Sequence, residues 1–486
     1  MAGRHARLDR LTPLDMSNLR VEEHGLPMDV AALVVLEPAD PGQLDLNRLR
    51  GIVEGRLSRV PRLRQVLYRP PPGLGPPVWV DARDFDIRQH VRARPVPGPG
   101  DEAALLRTCA DLGEMPLDRS RPLWQMWLLT GLAGGRRALL IRLHHVVADG
   151  IGALAMLGNL IDPAPGTEVP DPPPWTPVPA PGVAALASDR LRRQARLLRH
   201  LAVRLRHPGV VVTGLGVLAR QARQVAREGR APRVSLNVPV TGPRRLLLIR
   251  ADLRRAKAVA HAHGGTVNDV VLAAAAGGAR SLLRSRGELM PGLVLKVSVA
   301  ASVRDPADRS AAGNRVGLLV VPLPVAEADP ERCLAAIAAA TAGRKTLPPY
   351  QPAGRLAQRW MASVMARQRL VNLLVSNLPG PPCPLRLGGA RVLEIFQIGV
   401  VQGNLTVSVG AISYAGQLNL GVVADRAAVP DAGAFADGMS DTLGRLGILV
   451  TADPSLQEAG ASADRARSSR AVRTPRVNIS RSGQRS

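Results

Sequence analysis

One stretch, residues 138–150, constrains the fold of this chain more than any other. Residues 138–143 form an apolar run whose length is typical of a buried strand. The run leads directly into His144 and His145, and Asp149 and Gly150 follow shortly after. Beyond Gly150 the apolar residues keep helical spacing, at Ile151, Leu154, Leu157, Leu160 and Ile161. The pattern predicts a strand-to-helix turn that contains two histidines.

Such a turn is suited to acid–base chemistry. A strand fixes the position of an imidazole, and a loop leaves one ring nitrogen accessible to a substrate. An imidazole held in this way can accept a proton from a hydroxyl group near neutral pH. Asp149 can cap the following helix or bind an arginine, and Gly150 lets the chain turn sharply.

The paired histidines allow two other interpretations. Neighbouring residues of a strand point to opposite faces, which argues against His144 and His145 as joint ligands of a zinc ion. Spacing alone leaves open that both histidines are structural residues at the end of a core strand.

Length and charge limit the class of protein. With 486 residues, the chain is longer than one typical domain, so we expect two domains with connecting segments. The net charge of +25 is contributed almost entirely by arginine, and it indicates anionic partners. Because no zinc-finger spacing or RNP-like aromatic motif is present, nucleic acid is not expected. Anionic membrane surfaces and the phosphates of coenzyme A remain.

Cysteine usage and hydropathy indicate a cytoplasmic protein. Cys109, Cys333 and Cys383 are odd in number and far apart, which argues against a disulfide framework or a metal knuckle. The N-terminus lacks the apolar region of a signal peptide, and the longest apolar stretch, near residues 209–219, is too short to span a membrane. Any membrane contact is therefore expected to be peripheral.

Composition divides the chain into four segments. Residues 1–162 contain the double histidine, residues 163–234 form a connecting segment, residues 235–455 form a second half, and residues 456–486 form a basic tail expected to be disordered. Nine prolines within residues 163–181 predict a crossover linker. Residues 189–206 predict a helix with leucines on one face and arginines on the other. That helix is suited either to a membrane interface or to packing on its own protein.

Two polar motifs lie in the second half. Asn268 and Asp269 follow Thr266, and Thr266 with Asp269 resembles a capping box at a helix start. Ser376 and Asn377 end a predicted strand. No Gly-x-Ser-x-Gly elbow surrounds Ser376, so we interpret it as a strand-end serine bonded to backbone and not as a nucleophile.

Taken together, these motifs resemble a known family. His-His-x-x-x-Asp-Gly at residues 144–150 resembles the signature of the CoA-dependent acyltransferase superfamily, which includes chloramphenicol acetyltransferase and peptide-synthesis condensation domains. The other motifs narrow the resemblance to the bacterial wax ester synthase/diacylglycerol acyltransferase family, over roughly residues 8–450. These motifs are Pro122-Leu123-Trp124, Asn268-Asp269, and Ser376-Asn377 followed by Leu378-Pro379-Gly380-Pro381.

The resemblance implies an α/β fold of two chloramphenicol-acetyltransferase-like halves, with mixed sheets flanked by helices and an active-site tunnel between them. It implies that His145 is a general base with no covalent intermediate, that His144 shapes the turn, and that Asp149 orients it. Acyl-CoA is implied as co-substrate, without a cofactor or metal ion. The residues implied to support the site are Gly150, Asn268, Asp269, Ser376, Asn377, and Arg304 as the partner of Asp149.

The acceptor is expected to be diacylglycerol, which gives triacylglycerol. Arginine-rich composition resembles actinobacterial members, in which oil storage is common. The alternatives are a long-chain alcohol, a carrier-bound acyl group or complex lipid, and a non-catalytic protein that coats lipid droplets. Family members usually have Pro-Met-His-Val near the N-terminus, whereas this chain has Asp29 at the histidine position. The expected location is the inner face of the plasma membrane or the surface of lipid droplets.

Overall fold

The computed structural model describes residues 8–22, 28–40, 42–162, 175–206, 229–302, 316–344 and 367–449. Its strands are β1 (Asp29–Glu37), β2 (Gln65–Tyr68), β3 (Val78–Asp81), β4 (Val91–Pro95), β5 (Trp124–Thr130), β6 (Arg137–His144), β7 (Arg244–Asp252), β8 (Leu295–Ser302), β9 (Val316–Leu323), β10 (Leu373–Leu378), β11 (Arg386–Leu387), β12 (Ala390–Ile398), β13 (Val407–Tyr414) and β14 (Gln417–Asp425).

Its α-helices are α1 (Pro13–Glu22), α2 (Leu46–Arg56), α3 (Ile87–His90), α4 (Glu102–Glu114), α5 (Gly150–Gly158), α6 (Val183–Arg206), α7 (Leu253–Ala262), α8 (Val267–Ser285), α9 (Pro330–Arg344) and α10 (Ala432–Arg445). Carboxylates cap several of these helices, as at Asp45, Asp101 and Asp252. None of the described helices is long and apolar enough to cross a membrane.

The strands form two six-stranded mixed sheets, and β2 pairs separately with β3. The first sheet has the order β11-β12-β1-β6-β5-β4, and the second has the order β7-β14-β13-β10-β8-β9. Each sheet contains antiparallel and parallel pairs. The α/β fold with mixed sheets and flanking helices is therefore confirmed. The predicted second half, residues 235–455, is not confined to one sheet, because β11 and β12 belong to the first.

The two sheets meet along β12. The backbone of β12 lies against the second sheet, where Asn419 donates a hydrogen bond of 3.1 Å to the Ile395 carbonyl. A Cβ atom at Gly421 would overlap the carbonyl oxygen of Gln397, so this close approach requires glycine. Apolar side chains fill the space between the sheets, including Leu140 from the first and Leu246 from the second.

Strand β6 is buried on both faces. Its alternate residues Leu139, Ile141 and Leu143 belong to a core that also includes residues of α2. Ala138 and Leu140 belong to the core between the sheets, and period-two alternation places Arg142 and His144 on that same face. The strand therefore directs two polar side chains toward the junction of the two sheets.

Several predictions from the sequence can be compared with these bounds. The predicted strand, turn and helix at residues 138–161 are confirmed as β6, the turn and α5, and the helix predicted at residues 189–206 is part of the longer α6. Arg304, residues 163–174 of the predicted linker and the tail at residues 456–486 lie outside the described residues.

Helix α1 was not predicted, although Thr12 and Asp15 form reciprocal hydrogen bonds around its start. Thr-x-x-Asp with Pro13 at the first helical position is the signal that would have found it.

Candidate active site at the double-histidine turn

Two neighbouring segments hold the double-histidine turn in place. The His144 amide donates to the Leu123 carbonyl at 3.0 Å, and the His145 amide donates to the Met28 carbonyl at 2.9 Å. Leu123 belongs to the Pro-Leu-Trp motif, whose Trp124 is fully buried and donates its indole N–H to the Leu63 carbonyl. The motif therefore fixes the position of the turn through its backbone and through a buried anchor.

His144 is fully buried, and its hydrogen bonds define its tautomer. The Val146 amide N–H donates to Nδ1 of His144 at 3.1 Å. Nδ1 is therefore an acceptor, and Nε2 donates to the Glu22 carboxylate at 2.9 Å. Both ring nitrogens are engaged within the protein. His144 therefore links the turn to α1.

Helix α1 contributes two carboxylates that the sequence analysis missed. Glu22 contacts His144 and also accepts from Arg119. Burial raises the pKa of Glu22, but hydrogen bonds and charge interactions with His144 and Arg119 outweigh burial and hold the pKa below its ordinary value. Asp15, which is buried, lies close enough to act electrostatically on His145. One helix thus supplies an anionic neighbour to each histidine.

His145 is partly accessible at the turn. Desolvation lowers the pKa of His145 below its ordinary value, and the nearby His144 acts in the same direction. A hydrogen bond with its own backbone and the charges of Asp149 and Asp15 oppose this shift without cancelling it. The imidazole is therefore neutral at pH 7, the form that can accept a proton.

Asp149 and Gly150 begin helix α5. The Asp149 carboxylate caps the helix by accepting from the Gly152 amide at 2.7 Å, as the sequence predicts. Gly150 does not have the positive φ expected of a sharp turn. Its side-chain-free surface instead admits Leu378 of β10, since an added Cβ would lie 3.1 Å from the Leu378 methyl groups. Glycine thus permits the close contact between the start of α5 and β10.

Asp29 occupies the position where the family usually has histidine, and it forms a buried ion pair. Its carboxylate accepts from Arg142 at 2.6 Å, with side-chain exposures of 5% for Asp29 and 1% for Arg142. Burial raises the pKa of Asp29, and the charge of Arg142 opposes the increase. Asp29, Glu22 and His144 place their potential ligand atoms within 4.8 Å of one another. Arg142 and Arg119 compensate the two carboxylates of this group.

The Asn268-Asp269 motif starts helix α8. The Asp269 carboxylate accepts from the Thr266 amide at 2.7 Å, so the predicted capping box is confirmed. Its other oxygen accepts from the Thr341 hydroxyl at 2.7 Å. These contacts join α8 to α9 and do not involve the double-histidine turn. Asn268, the first-turn neighbour of Asp269, is partly buried.

The Ser376-Asn377 motif lies at the end of β10, next to Leu378. The Ser376 hydroxyl accepts from the side-chain amide of Gln397 in β12 at 3.1 Å. Its partner is therefore a side chain of the first sheet and not the backbone predicted from sequence. Asn377 is partly buried and pairs in register with Ala411. Through Ser376 and Leu378, this motif meets both β12 and the start of α5.

Comparison with known families gives two separate matches. Residues 11–271 match the wax ester synthase/diacylglycerol acyltransferase catalytic domain, and residues 312–447 match the WS/DGAT C-terminal domain. The probable diacylglycerol O-acyltransferase tgs1 of Mycobacterium tuberculosis is 32% identical over 460 residues, which cover 90% of this chain and 96% of that protein. A second putative diacylglycerol O-acyltransferase of M. tuberculosis, Rv1760, is 30% identical over 462 residues, or 91% of this chain and 90% of that protein.

Solved structures share the fold. The wax ester synthase/diacylglycerol acyltransferase of Marinobacter aquaeolei VT8 superposes with a TM-score of 0.64 at 24% identity, covering 90% of this chain and 98% of that chain. The starter condensation domain of rhizomide synthetase RzmA, in complex with C8-CoA and Leu-SNAC, gives a TM-score of 0.60 at 15% identity, covering 91% and 95%. This chain belongs to the wax ester synthase/diacylglycerol acyltransferase family of acyltransferases.

Proposed function

We propose that this protein transfers a long-chain acyl group from coenzyme A to diacylglycerol, with His145 as general base. The observation that supports the proposal best is the environment of His145. Its imidazole lies at a strand end held by two backbone hydrogen bonds, is partly accessible, and has a pKa lowered by burial. His144, by contrast, is fully buried with both nitrogens engaged. Of the two histidines of the turn, His145 is the one with the properties of a proton acceptor for substrate.

The proposed reaction is a direct transfer. His145 accepts the proton of the acceptor hydroxyl while the hydroxyl oxygen attacks the thioester carbonyl and forms a C–O bond. When the tetrahedral species collapses, the C–S bond breaks and the thiolate takes the proton back from the imidazolium. The products are an ester and free CoA, and the imidazole ends neutral. No covalent acyl-enzyme and no bound cofactor are required.

Diacylglycerol is the proposed acceptor because mycobacterial relatives at 30–32% identity have names that specify diacylglycerol O-acyltransferase. The family description also includes wax ester synthase, so a long-chain alcohol is the second candidate acceptor. Asp29 differs from the family pattern at a position that pairs directly with His144 across β1 and β6. We propose that this difference affects which acceptor is preferred.

The test is thioester consumption by the full chain with palmitoyl-CoA, with diolein and hexadecanol offered separately. We expect turnover with diolein, and we expect His145→Ala to reduce kcat by about 10²–10⁴. The matched control is His261→Ala, which removes an exposed histidine from α7. Turnover with hexadecanol alone would make the protein a wax ester synthase. No turnover with either acceptor by a folded parent would overturn the proposal and favour a carrier-bound acyl donor.

We further propose that α6 attaches the protein to an anionic lipid surface, either a membrane or a lipid droplet. Leu186 is buried and Asp189 binds Arg10, so the start of the helix packs on the protein. Beyond this anchor, Leu191, Leu197 and Leu198 are 66%, 69% and 64% exposed. The exposed arginines of the same helix are suited to anionic headgroups, at about 1 kcal/mol each near the surface; they are Arg192, Arg193, Arg196 and Arg199.

Vesicle flotation tests this attachment. The parent is expected to float with vesicles that contain phosphatidylglycerol, and the substitution of Leu191 and Leu198 by serine is expected to abolish flotation. Met290→Ser, at a residue 66% exposed outside α6, is the control and should leave flotation unchanged. Flotation of the leucine double variant at the parental level would contradict the attachment.

A further inference from the structure

The first turns of α6 dock on the first half of the molecule. Leu186 is buried, although leucines farther along the helix are exposed. Asp189 accepts a hydrogen bond of 2.6 Å from Nε of Arg10, and side-chain exposures of 12% and 4% place this ion pair inside the protein. Arg190 donates to the carbonyl of Gly73, in the loop between β2 and β3. The start of α6 is therefore fixed both to the β2–β3 hairpin and to the segment that precedes α1.

Arg10 is held between β3 and α6. Its backbone pairs with Val78 of β3, and its Nη1 donates to the Pro76 carbonyl at 2.8 Å. The next residue, Leu11, is buried, and α1 begins two residues after it. So short a connection leaves little slack, because two residues of chain span only a few ångströms. The position of Arg10 therefore determines where α1 starts.

Helix α1 connects this anchor to the double-histidine turn. Its last residue, a glutamate, accepts from Nε2 of His144 at 2.9 Å. Asp15, in its first turn, acts electrostatically on His145. Asp15 also exchanges hydrogen bonds with Thr12, which lies two residues after Arg10. A displacement of Arg10 would therefore move the carboxylate that acts on His145.

The segment before α6 reaches the other support of the turn. Trp175 lies edge-on to Phe85, with ring centroids 6.4 Å apart. Phe85 stacks on His90 at 5.2 Å, and His90 stacks on Trp124 at 4.6 Å. Trp124 belongs to the Pro-Leu-Trp motif, which binds the backbone of the turn. Residues 175–190, which we name the docking segment, therefore reach both supports, directly just before α1 and through stacked rings at the motif.

We propose that the docking segment positions the double-histidine turn for catalysis, and that the Arg10–Asp189 ion pair is its principal contact. The inference rests on the proposed function for the role of His145 as base. Arg10 and Asp189 are positioning residues, since they act on the histidines through α1. A buried ion pair is suited to this task, because displacement would leave two charges uncompensated inside the protein. Helix α6 then has two functions, with its first turns supporting the active site and its exposed remainder contacting lipid.

The test variant, which we name the docking variant, combines Arg10→Ala with Asp189→Ala. It removes one charge of each sign, so the net charge near the turn is unchanged. We expect its kcat per folded molecule, with palmitoyl-CoA and diolein, to fall about tenfold, because misplacement of a catalytic group by about 1 Å can cost about 10²-fold. Asp189→Glu keeps the ion pair and should retain most of the parental kcat. Vesicle flotation of the docking variant should remain parental, because the exposed leucines of α6 are unchanged.

A second readout is the pKa of the His145 imidazole, measured by NMR titration, with His145→Ala to assign its resonance. The neighbouring charges that act on this pKa are His144, which lowers it, and Asp149 and Asp15, which raise it. Displacement of α1 removes the contribution of Asp15, so the pKa of His145 should fall in the docking variant. This measurement needs no turnover. An ion pair that only stabilised the fold would leave the pKa of His145 unchanged in the folded protein.

The matched control combines Arg286→Ala with Asp431→Ala, which removes an ion pair between the end of α8 and the start of α10. It should leave kcat and the pKa of His145 at parental values. A docking variant with parental kcat and an unchanged His145 pKa would overturn the inference and leave the proposed function intact. A loss of kcat no larger than that of the control would also overturn it. If the parent does not acylate diolein but the docking variant lowers the pKa of His145, the inference stands and the proposed function fails.

Discussion

Two helix starts in this protein have the same local chemistry and different surroundings. Asp149 is the N-cap residue of α5 and accepts from the Gly152 amide, three residues later in sequence. Asp269 is the third residue of α8 and completes a capping box by accepting from the amide of the N-cap residue Thr266, three residues earlier. The Asp149 cap follows the double histidine, and its charge acts on His145. The Asp269 cap binds Thr341 of α9 within a helical layer. The same carboxylate chemistry therefore serves the proposed active site in one place and helix packing in the other.

The difference should appear first in turnover. Asp149→Ala removes the cap next to His145, and a displacement of about 1 Å at a catalytic group costs about 10²-fold in rate. We expect a kcat loss of that size for Asp149→Ala and less than about threefold for Asp269→Ala, both measured per folded molecule. Equal losses in the two variants would show that the Asn268-Asp269 motif contributes directly to the chemistry.

The free energy of unfolding should show the opposite order, with a larger loss for Asp269→Ala than for Asp149→Ala. Asp269 is 1% exposed and accepts three hydrogen bonds from Thr266 and Thr341. Its replacement by alanine is expected to cost about 2 kcal/mol or more, because a cap and a buried hydrogen bond are both lost. Asp149→Ala is expected to cost about 1 kcal/mol. Denaturant midpoints compare the two variants, and a larger loss for Asp149→Ala would contradict this order.

A third variant tests the connection of the turn to α1. Glu22→Gln keeps an acceptor for Nε2 of His144 but removes the negative charge and weakens the bond to Arg119. We expect kcat to fall about tenfold, since a charge-assisted hydrogen bond becomes a neutral one. The control is Glu37→Gln, which removes a carboxylate from an exposed pair with Arg391 and should leave kcat unchanged. A parental kcat for Glu22→Gln would show that His144 holds its position without α1.

The smallest expected effect is on pH dependence. The neutral form of His145 is the base, so activity should fall as pH decreases through a pKa below its ordinary value of 6.5. Asp149 raises that pKa, so Asp149→Asn, which retains a capping side chain, should move the acid limb to lower pH. Asp269→Asn should not move it. A shift to higher pH in Asp149→Asn would contradict the assigned role.

Local features of the chain were predicted well because they depend on neighbouring residues. The strand and helix around residues 144–150 follow from apolar periodicity, and the caps at Asp149 and Asp269 follow from short-range hydrogen bonding. Helix α1 was missed although its capping signal is present, because the helix is short and only weakly amphipathic. The two carboxylates that it brings to the histidines were missed with it.

Long-range contacts could not be predicted from single motifs. The partner of Ser376 is Gln397, a residue of β12, whose place in the first sheet is not visible in sequence order. Gly150 was interpreted as a turn residue, but its observed role is to admit Leu378 from the other sheet. In both cases the contacting side chain, Gln397 or Leu378, belongs to a segment that is distant in the sequence.

By itself, the sequence determined the family and the strand-to-helix turn, because these depend on residue types at fixed spacing. Only the tertiary structure decided that Glu22 accepts a hydrogen bond from His144 and that Arg142 compensates Asp29. The physical reason is that charge and desolvation act through space. Their effects depend on which groups the fold brings together, and both pairs, Glu22 with His144 and Asp29 with Arg142, are far apart in the chain.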